Sequence, residues 1–175
     1  MKTNLNLTLL KISKASAFAL TTSIASMNAT AATETANLGV SASIADGCTI
    51  SALPVAFGTY DTIGVNVATD RTAEGSVTVL CTAGASASVS LGQGVNAVGD
   101  VPVTPVRRMA SGANRLGYSL YSDVALTSVW GATTSAVTAL ADGASHAMTV
   151  YGKIPAGQNL PAGSYADTVV ATITF

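Results

Sequence analysis

The residues able to do chemistry are few, and their spacing matches no catalytic motif. His146 is the single histidine, and a hydrolytic triad would need it beside a serine and an aspartate. No G-x-S-x-G element places a serine on a sharp strand-to-helix turn, and Gly92-Gln93-Gly94 is not followed by the Lys-Ser/Thr of a phosphate loop. The scattered aspartates offer no pair that spacing singles out for sugar hydrolysis. The sequence therefore predicts that the protein is not an enzyme.

Cys48 and Cys81 are the only cysteines. Two thiols and one histidine do not make a four-ligand zinc set, so we predict no metal site and no cofactor. An even pair of cysteines in an exported chain favours a disulfide. Closing a loop of this length would add about 3–4 kcal/mol in the chain-entropy model.

The first 31 residues have the features of an export leader. Three lysines precede a short apolar run at 15–24, and Ala29-Thr30-Ala31 forms a small-x-small cleavage site. The run is too short to span a membrane, so we expect residues 1–31 to be a signal peptide and predict no membrane insertion.

The mature chain would be poor in charge. It would carry five basic and nine acidic residues, a net charge of −4. There is no basic stripe, and the Arg107-Arg108 pair is interpreted as an ordinary loop charge. We therefore expect no nucleic acid among the partners.

Two stretches alternate most clearly with a period of two residues. In 165–175, the residues Tyr165, Asp167, Val169, Ala171, Ile173 and Phe175 share one face, which is apolar apart from Asp167. In 38–44, Leu38, Val40, Ala42 and Ile44 alternate with Gly and Ser. Both patterns are typical of strands with one buried face.

Shorter alternating segments fill the rest of the mature chain, and Gly and Pro separate them. We predict strands within 76–81, 85–91, 115–121 and 146–154, with shorter extended pieces at 48–50, 54–60 and 101–106. No segment sustains a 3.6-residue period, so the pattern predicts an antiparallel β-sandwich. The strand at 165–175 must be paired, either within its own domain or with another chain. The pattern leaves these two pairings equally open.

Five short motifs follow one another in a recognisable order. They are Gly47-Cys48-Thr49-Ile50, Val79-Leu80-Cys81, the run from Leu116 to Asp123, Val150-Tyr151-Gly152-Lys153-Ile154-Pro155, and the run from Pro161 to Asp167 that continues into the last strand. Together they cover nearly the whole mature chain. The series resembles the spore coat protein U domain family, which includes subunits of archaic (Csu-type) chaperone–usher pili.

The resemblance implies an all-β fold, an incomplete immunoglobulin-like antiparallel β-sandwich completed by a donated strand. Residues 32–45 would be an N-terminal donor-strand extension and 46–175 the pilin domain. The implied partners are a periplasmic chaperone, an outer-membrane usher and neighbouring pilus subunits of the same or another kind. The protein would pass through the periplasm and end in a pilus on the cell surface.

The resemblance also assigns residues. Leu38, Val40, Ala42 and Ile44 correspond to the donor side chains, and Cys48 and Cys81 match the family's disulfide positions. One wall of the acceptor groove, where a chaperone would also bind, corresponds to Val169, Ala171, Ile173 and Phe175.

Two other hypotheses remain. The protein could be a secreted spore-coat or cell-surface structural protein that closes its own sandwich. It could also be a carbohydrate-binding adhesin that uses Trp130 and nearby loops as a sugar platform, although a lone Trp in a sandwich is more often a core residue.

Overall fold

The computed structural model describes residues 31–133 and 136–175. The predicted signal peptide lies outside them, apart from its last residue. The chain divides into two units, Met1–Ser41 and Ala42–Phe175, and every strand described here belongs to the second. Within the described part there is no α-helix, and one 3₁₀ turn spans Val65–Val67. No helix there has the length and apolarity needed to cross a membrane.

In the part of the chain that the structure describes, eight strands form two antiparallel sheets. They are β1 (Cys48–Leu53), β2 (Arg71–Cys81), β3 (Ala87–Leu91), β4 (Arg107–Ser111), β5 (Asn114–Tyr121), β6 (Val137–Ala139), β7 (Ser145–Ile154) and β8 (Ala171–Thr174). The five-stranded sheet has the order β1-β2-β7-β5-β4, and the three-stranded sheet has the order β6-β3-β8.

The core lies between the two sheets and is built from alternate residues of each strand. In β3, Ala87, Val89 and Leu91 are buried while the serines between them are half-exposed. The inward residues of β2 and β5 join them in one apolar cluster. Strand side chains point alternately to opposite faces, so this alternation turns a period-2 sequence into one buried face per strand. The predicted all-β antiparallel sandwich is confirmed.

Several predicted strand bounds were wrong. β2 starts at Arg71, five residues before the predicted start. No strand forms at 38–44, 54–60 or 101–106, although Val106 makes one isolated bridge to Val98. Pro54 has no N–H to donate, which suits its place just after β1 ends. β4 and β6 were not predicted, because two arginines and a stretch of Thr, Ser and Ala hide their alternation.

The predicted disulfide is confirmed. Cys48 and Cys81 are bonded, and they face each other as the first rung of the β1–β2 ladder. The bond therefore closes the ladder at the end where residues 32–47 enter the domain.

Trp130 is a core residue. It is 1% exposed, and its Nε1 donates a 2.9 Å hydrogen bond to the Val89 carbonyl oxygen. A side chain buried in this way cannot stack on a sugar, so the expectation that Trp130 is a core residue is confirmed and the alternative of a sugar platform on Trp130 is wrong.

The interpretation of Arg107 as a loop charge was also wrong. Arg107 is 1% exposed and lies in β4. Its guanidinium donates to the carbonyl oxygens of Leu91, Gly92 and Trp130 over 2.7–3.0 Å, so it ties β4 to the end of β3. Burial lowers its pKa to about 10, and the nearby Tyr118 and Asp167 partly offset that effect.

Candidate functional site

The chain from residue 165 to 174 is held along one edge only. Ala166 exchanges two backbone hydrogen bonds with Ala110 of β4. The carbonyl oxygens of Thr168 and Val170 then accept from Val95 and Gly92, and β8 pairs with β3. The terminal segment therefore starts on the edge of the five-stranded sheet and ends on the edge of the three-stranded sheet.

The opposite edge of this segment is unpaired. Peptide groups alternate along a strand, so those of residues 167 and 169 point away from the edge that residues 166, 168 and 170 use. Among the described residues, the backbone groups of Asp167 and Val169 have no hydrogen-bond partner. β8 is likewise the last strand of its sheet. Unpaired strand edges of this kind are templates for another strand.

The unpaired edge of the terminal segment is one rim of a groove, and a second rim, formed by β1 and the residues that follow it, faces this edge. β1 is the edge strand of the five-stranded sheet, and its Cα atoms come within 8 Å of those of β8, yet the two strands are not paired. After β1 the chain turns inward at Val55 and Phe57, which pack over Gly152 of β7. A Cβ on Gly152 would lie 2.6 Å from Val55 Cγ1 and 2.7 Å from Phe57 Cζ. Because Gly152 has no side chain, Val55 and Phe57 can pack closely against the sheet at this position.

The space between the two rims is a groove with a mixed lining, and its smaller part is mainly apolar. Two cavities of about 830 and 500 Å³ share Val55, Phe57, Met109 and Tyr165, so they form one continuous depression, hereafter the open groove. The larger cavity lies at one end of the open groove, between residues 55–62 on one rim and 160–165 on the other. The smaller cavity continues between residues 52–57 and 165–171.

A hydrogen-bonded carboxylate lies in the smaller cavity of the open groove. Tyr118 donates its hydroxyl to Asp167 Oδ2 over 2.7 Å, and Asp167 Oδ1 accepts from the backbone N–H and the side-chain amide of Asn96. Burial and the hydrogen bond to Asp167 raise the pKa of Tyr118, so it stays a donor. Gly94, at φ 87°, lies against the carboxylate, where a Cβ would collide with it.

The residues predicted to form the acceptor wall do not all lie in the groove. Val169 and Ala171 line the smaller cavity. Ile173 is half-buried against the core without lining either cavity, and Phe175 is 56% exposed. Sequence reasoning did not name Val55, Phe57, Tyr118, Tyr165 or Asp167 as groove residues. Tyr165 and Asp167 belong to the same alternation as Val169, and that signal could have found them.

The residues predicted to be donors lie on an unpaired segment. The side chains of Leu38, Val40 and Ile44 are 88–89% exposed, Ala42 is also exposed, and no strand is assigned between residues 31 and 47. Three large apolar side chains in one short segment are thus open to water. Their place in a donated strand remains a prediction.

The surface offers little other chemistry. His146 Nε2 lies 2.7 Å from Asp142 Oδ1 on the exposed start of β7, and this contact together with the Ala144 N–H holds the pKa of Asp142 below its usual value. Across residues 31–133 and 136–175, no three His, Cys, Asp or Glu side chains lie close enough together to hold a metal ion.

Fold and groove together define an immunoglobulin-like β-sandwich with two facing, unpaired strand edges. Residues 34–172 match the model of the Spore Coat Protein U domain family. The chain belongs to this family.

Two known proteins illustrate the range of this fold. The chain is 40% identical to Protein U of Myxococcus xanthus over 176 residues, which cover 95% of this chain and 98% of that protein. It also matches a chain in the crystal structure of the CsuC–CsuE complex. That complex joins a chaperone and a tip adhesion subunit before assembly, and it comes from the archaic chaperone–usher Csu pili of Acinetobacter baumannii. The TM-score is 0.57 at 24% identity, and the match covers 75% of this chain but only 40% of that chain, so it supports the fold.

Proposed function

We propose that this protein is a structural subunit of a pilus that assembles by donor-strand complementation. Residues 38–44 of one copy lie in the open groove of the next copy, and repetition of that contact builds a fibre. The observation that carries the proposal is the unpaired backbone at Asp167 and Val169 beside the mainly apolar part of the open groove. A strand laid there supplies both the missing hydrogen bonds and apolar side chains.

The energetics favour such a contact. Leu38, Val40 and Ile44 are almost fully exposed, and burying each one contributes about 1.5–3 kcal/mol. Each ladder hydrogen bond adds roughly 0.5–1.5 kcal/mol. Strand addition of this kind draws affinity from the main chain and specificity from alternate side chains.

An open groove of this kind needs a partner before assembly. Within the proposal, a periplasmic chaperone covers the groove and passes the subunit to an outer-membrane usher, where the neighbouring subunit's strand replaces it. Export by the signal peptide at residues 1–31 precedes these steps. The resemblance in fold to a chain from a chaperone–subunit pre-assembly complex supports a chaperone as a partner.

The test is a deletion of residues 32–44 from the mature chain. We expect the deletion to abolish polymers, seen as loss of the ladder on mild denaturing gels, while a 1:1 complex with a co-expressed chaperone persists. Deletion of residues 32–37, which keeps Leu38 to Ile44, is the matched control and should still polymerise. Polymer formed by the longer deletion would refute the proposal.

A second candidate is a surface coat protein that closes its own sandwich. The family description and the 40% identity to Protein U favour this possibility. It predicts that the mature chain refolds alone into a stable monomer with residues 38–44 protected from proteolysis. Under the pilus proposal, the monomer leaves that segment open to protease until a second copy or a chaperone binds.

A further inference from the structure

We propose that the Asp167–Tyr118 pair sets the register of the donated strand. Among the inward-facing side chains of the donor, only the smallest one, Ala42, can lie next to this pair. This inference rests on the proposed function and adds to it the position that each donor residue takes.

Asp167 is the one carboxylate among the residues that line the smaller cavity. Asp167 alternates with Tyr165, Val169 and Ala171 on the inward row, and it lines the smaller cavity together with Tyr118. Its oxygens accept three hydrogen bonds of 2.7–3.2 Å, from Tyr118 and Asn96. A carboxylate offers about four acceptor positions, so one remains for water.

A bulky apolar side chain laid over this carboxylate would close that acceptor position to water without supplying another hydrogen bond. Uncompensated burial of a charged group is costly. Among the four donor residues, only Ala42 is small enough to leave room for the water. The register that avoids the penalty therefore places Ala42 beside Asp167.

The chain connection then fixes the direction of the donor. Only residues 45–47 separate Ile44 from the donor's own β1, and they span at most about 10 Å. The donor's domain must lie just beyond Ile44, so we place Ile44 at the end with the larger cavity, near Tyr165. At the other end the Cα atoms of β1 and β8 come within 8 Å of each other, so that end offers less space than the end with the larger cavity. Val40 then falls beside Val169.

Cysteine pairs test this register in the full mature chain with its native disulfide kept. Directly opposed cross-strand residues have the separation that a disulfide needs, whereas positions four residues apart do not. We expect the chain carrying Val40→Cys and Val169→Cys to form a covalent ladder on non-reducing gels, at least tenfold more than the chain carrying Val40→Cys and Tyr165→Cys. Equal or reversed yields would overturn the register. If the unsubstituted chain forms no fibres, that result would refute the proposed function instead.

Side-chain size gives a second test that needs no cysteine. Ala42→Leu should slow polymer formation at least tenfold, while Ser43→Leu, the matched control on the outward face of the same segment, should change it less than threefold. Adding Asp167→Ala to Ala42→Leu removes the carboxylate and should restore the rate to within threefold of the unsubstituted chain. A thermal melt confirms that each variant folds. Unimpaired polymerisation of Ala42→Leu, or no rescue in a folded double variant, would overturn the inference.

Discussion

Ala110 and Ala166 exchange two backbone hydrogen bonds, of 2.8 and 3.1 Å, between β4 and the segment that leads into β8. This bridge joins the terminal segment to the five-stranded sheet before it crosses to the three-stranded sheet. The later attachments of this segment, which are its hydrogen bonds to the loop after β3 and the pairing of β8 with β3, use the same edge. The opposite edge therefore stays unpaired along its length. The open groove is thus a consequence of how one strand crosses between two sheets.

A charge on the inward face of the donor segment should prevent assembly. Val40→Asp would place an unpaired carboxylate against the mainly apolar part of the open groove, and we expect polymer yield to fall at least tenfold. Ser41→Asp puts the same charge on the outward face and is the control. Negative-stain microscopy and the gel ladder measure both. Similar loss in both variants would argue against a buried inward face.

Removing the disulfide should destabilise the domain without changing its core. Replacing both Cys48 and Cys81 with Ser reopens a loop with a sequence separation of 33 residues. We expect a loss of about 2–5 kcal/mol in the free energy of unfolding, measured by denaturant titration. Reductant should reproduce the loss in the unsubstituted chain and have no effect on the double variant.

Arg107 should prove more important to stability than an exposed arginine. Arg107→Met leaves three buried carbonyl oxygens without their donor, so we expect a loss of about 2–4 kcal/mol. Arg115→Met is the control, because the Arg115 guanidinium bonds only to carbonyls of its own turn. A loss at Arg107 no larger than that at Arg115 would contradict the structural role described here.

Gly152 should not tolerate a side chain. Gly152→Ala would push Val55 and Phe57 outward, and overpacking of this kind costs about 1–3 kcal/mol. The displaced rim should also narrow the groove and slow polymer formation. Gly47→Ala is the control, because a Cβ there would meet only Thr82 Oγ1 at 3.8 Å. Thermal melts and polymerisation rates report the two effects separately.

The loop after β5 should respond to acid through Asp123. Hydrogen bonds from Ser128 and Thr127 hold the pKa of Asp123 below its usual 3.8. A depressed pKa stabilises the fold above the unfolded-state value, and this contribution disappears as the pH falls through the folded-state value. The difference in urea midpoint between the unsubstituted chain and Asp123→Asn should therefore be present at pH 5 and shrink towards pH 2.5. A constant difference would exclude ionisation as its source.

The sequence predicted the disulfide and the strands at 76–81, 85–91, 115–121 and 146–154. The two clearest alternations fared worse, because no strand forms at 38–44 and only Ala171–Thr174 is a strand within 165–175. Alternation shows which side chains share a face, but it does not show which edge of a strand is hydrogen-bonded. The crossing of residues 165–174 between the sheets was therefore not predictable. The second rim was missed for a related reason. Val55 and Phe57 pack on Gly152, which is distant in sequence and gives no local signal.

Arg107 shows a different limit. A charged residue in a sequence is normally read as solvent-exposed, since burying it is costly. Its burial is possible here because the guanidinium meets three carbonyl oxygens that the end of β3 and Trp130 leave free. Those partners come from two distant segments, so only the folded chain brings them together.

The position of the Cys48–Cys81 bond has a mechanical consequence for a fibre built in the proposed way. Tension would enter each domain from the donated segment through residues 45–47 and arrive at Cys48. Without the bond, that pull would peel β1 from β2 one rung at a time. With Cys48 bonded to Cys81 on the opposite strand, the load passes covalently into β2, which is paired with β1 on one side and β7 on the other. The domain would then bear force on an interior strand of its larger sheet.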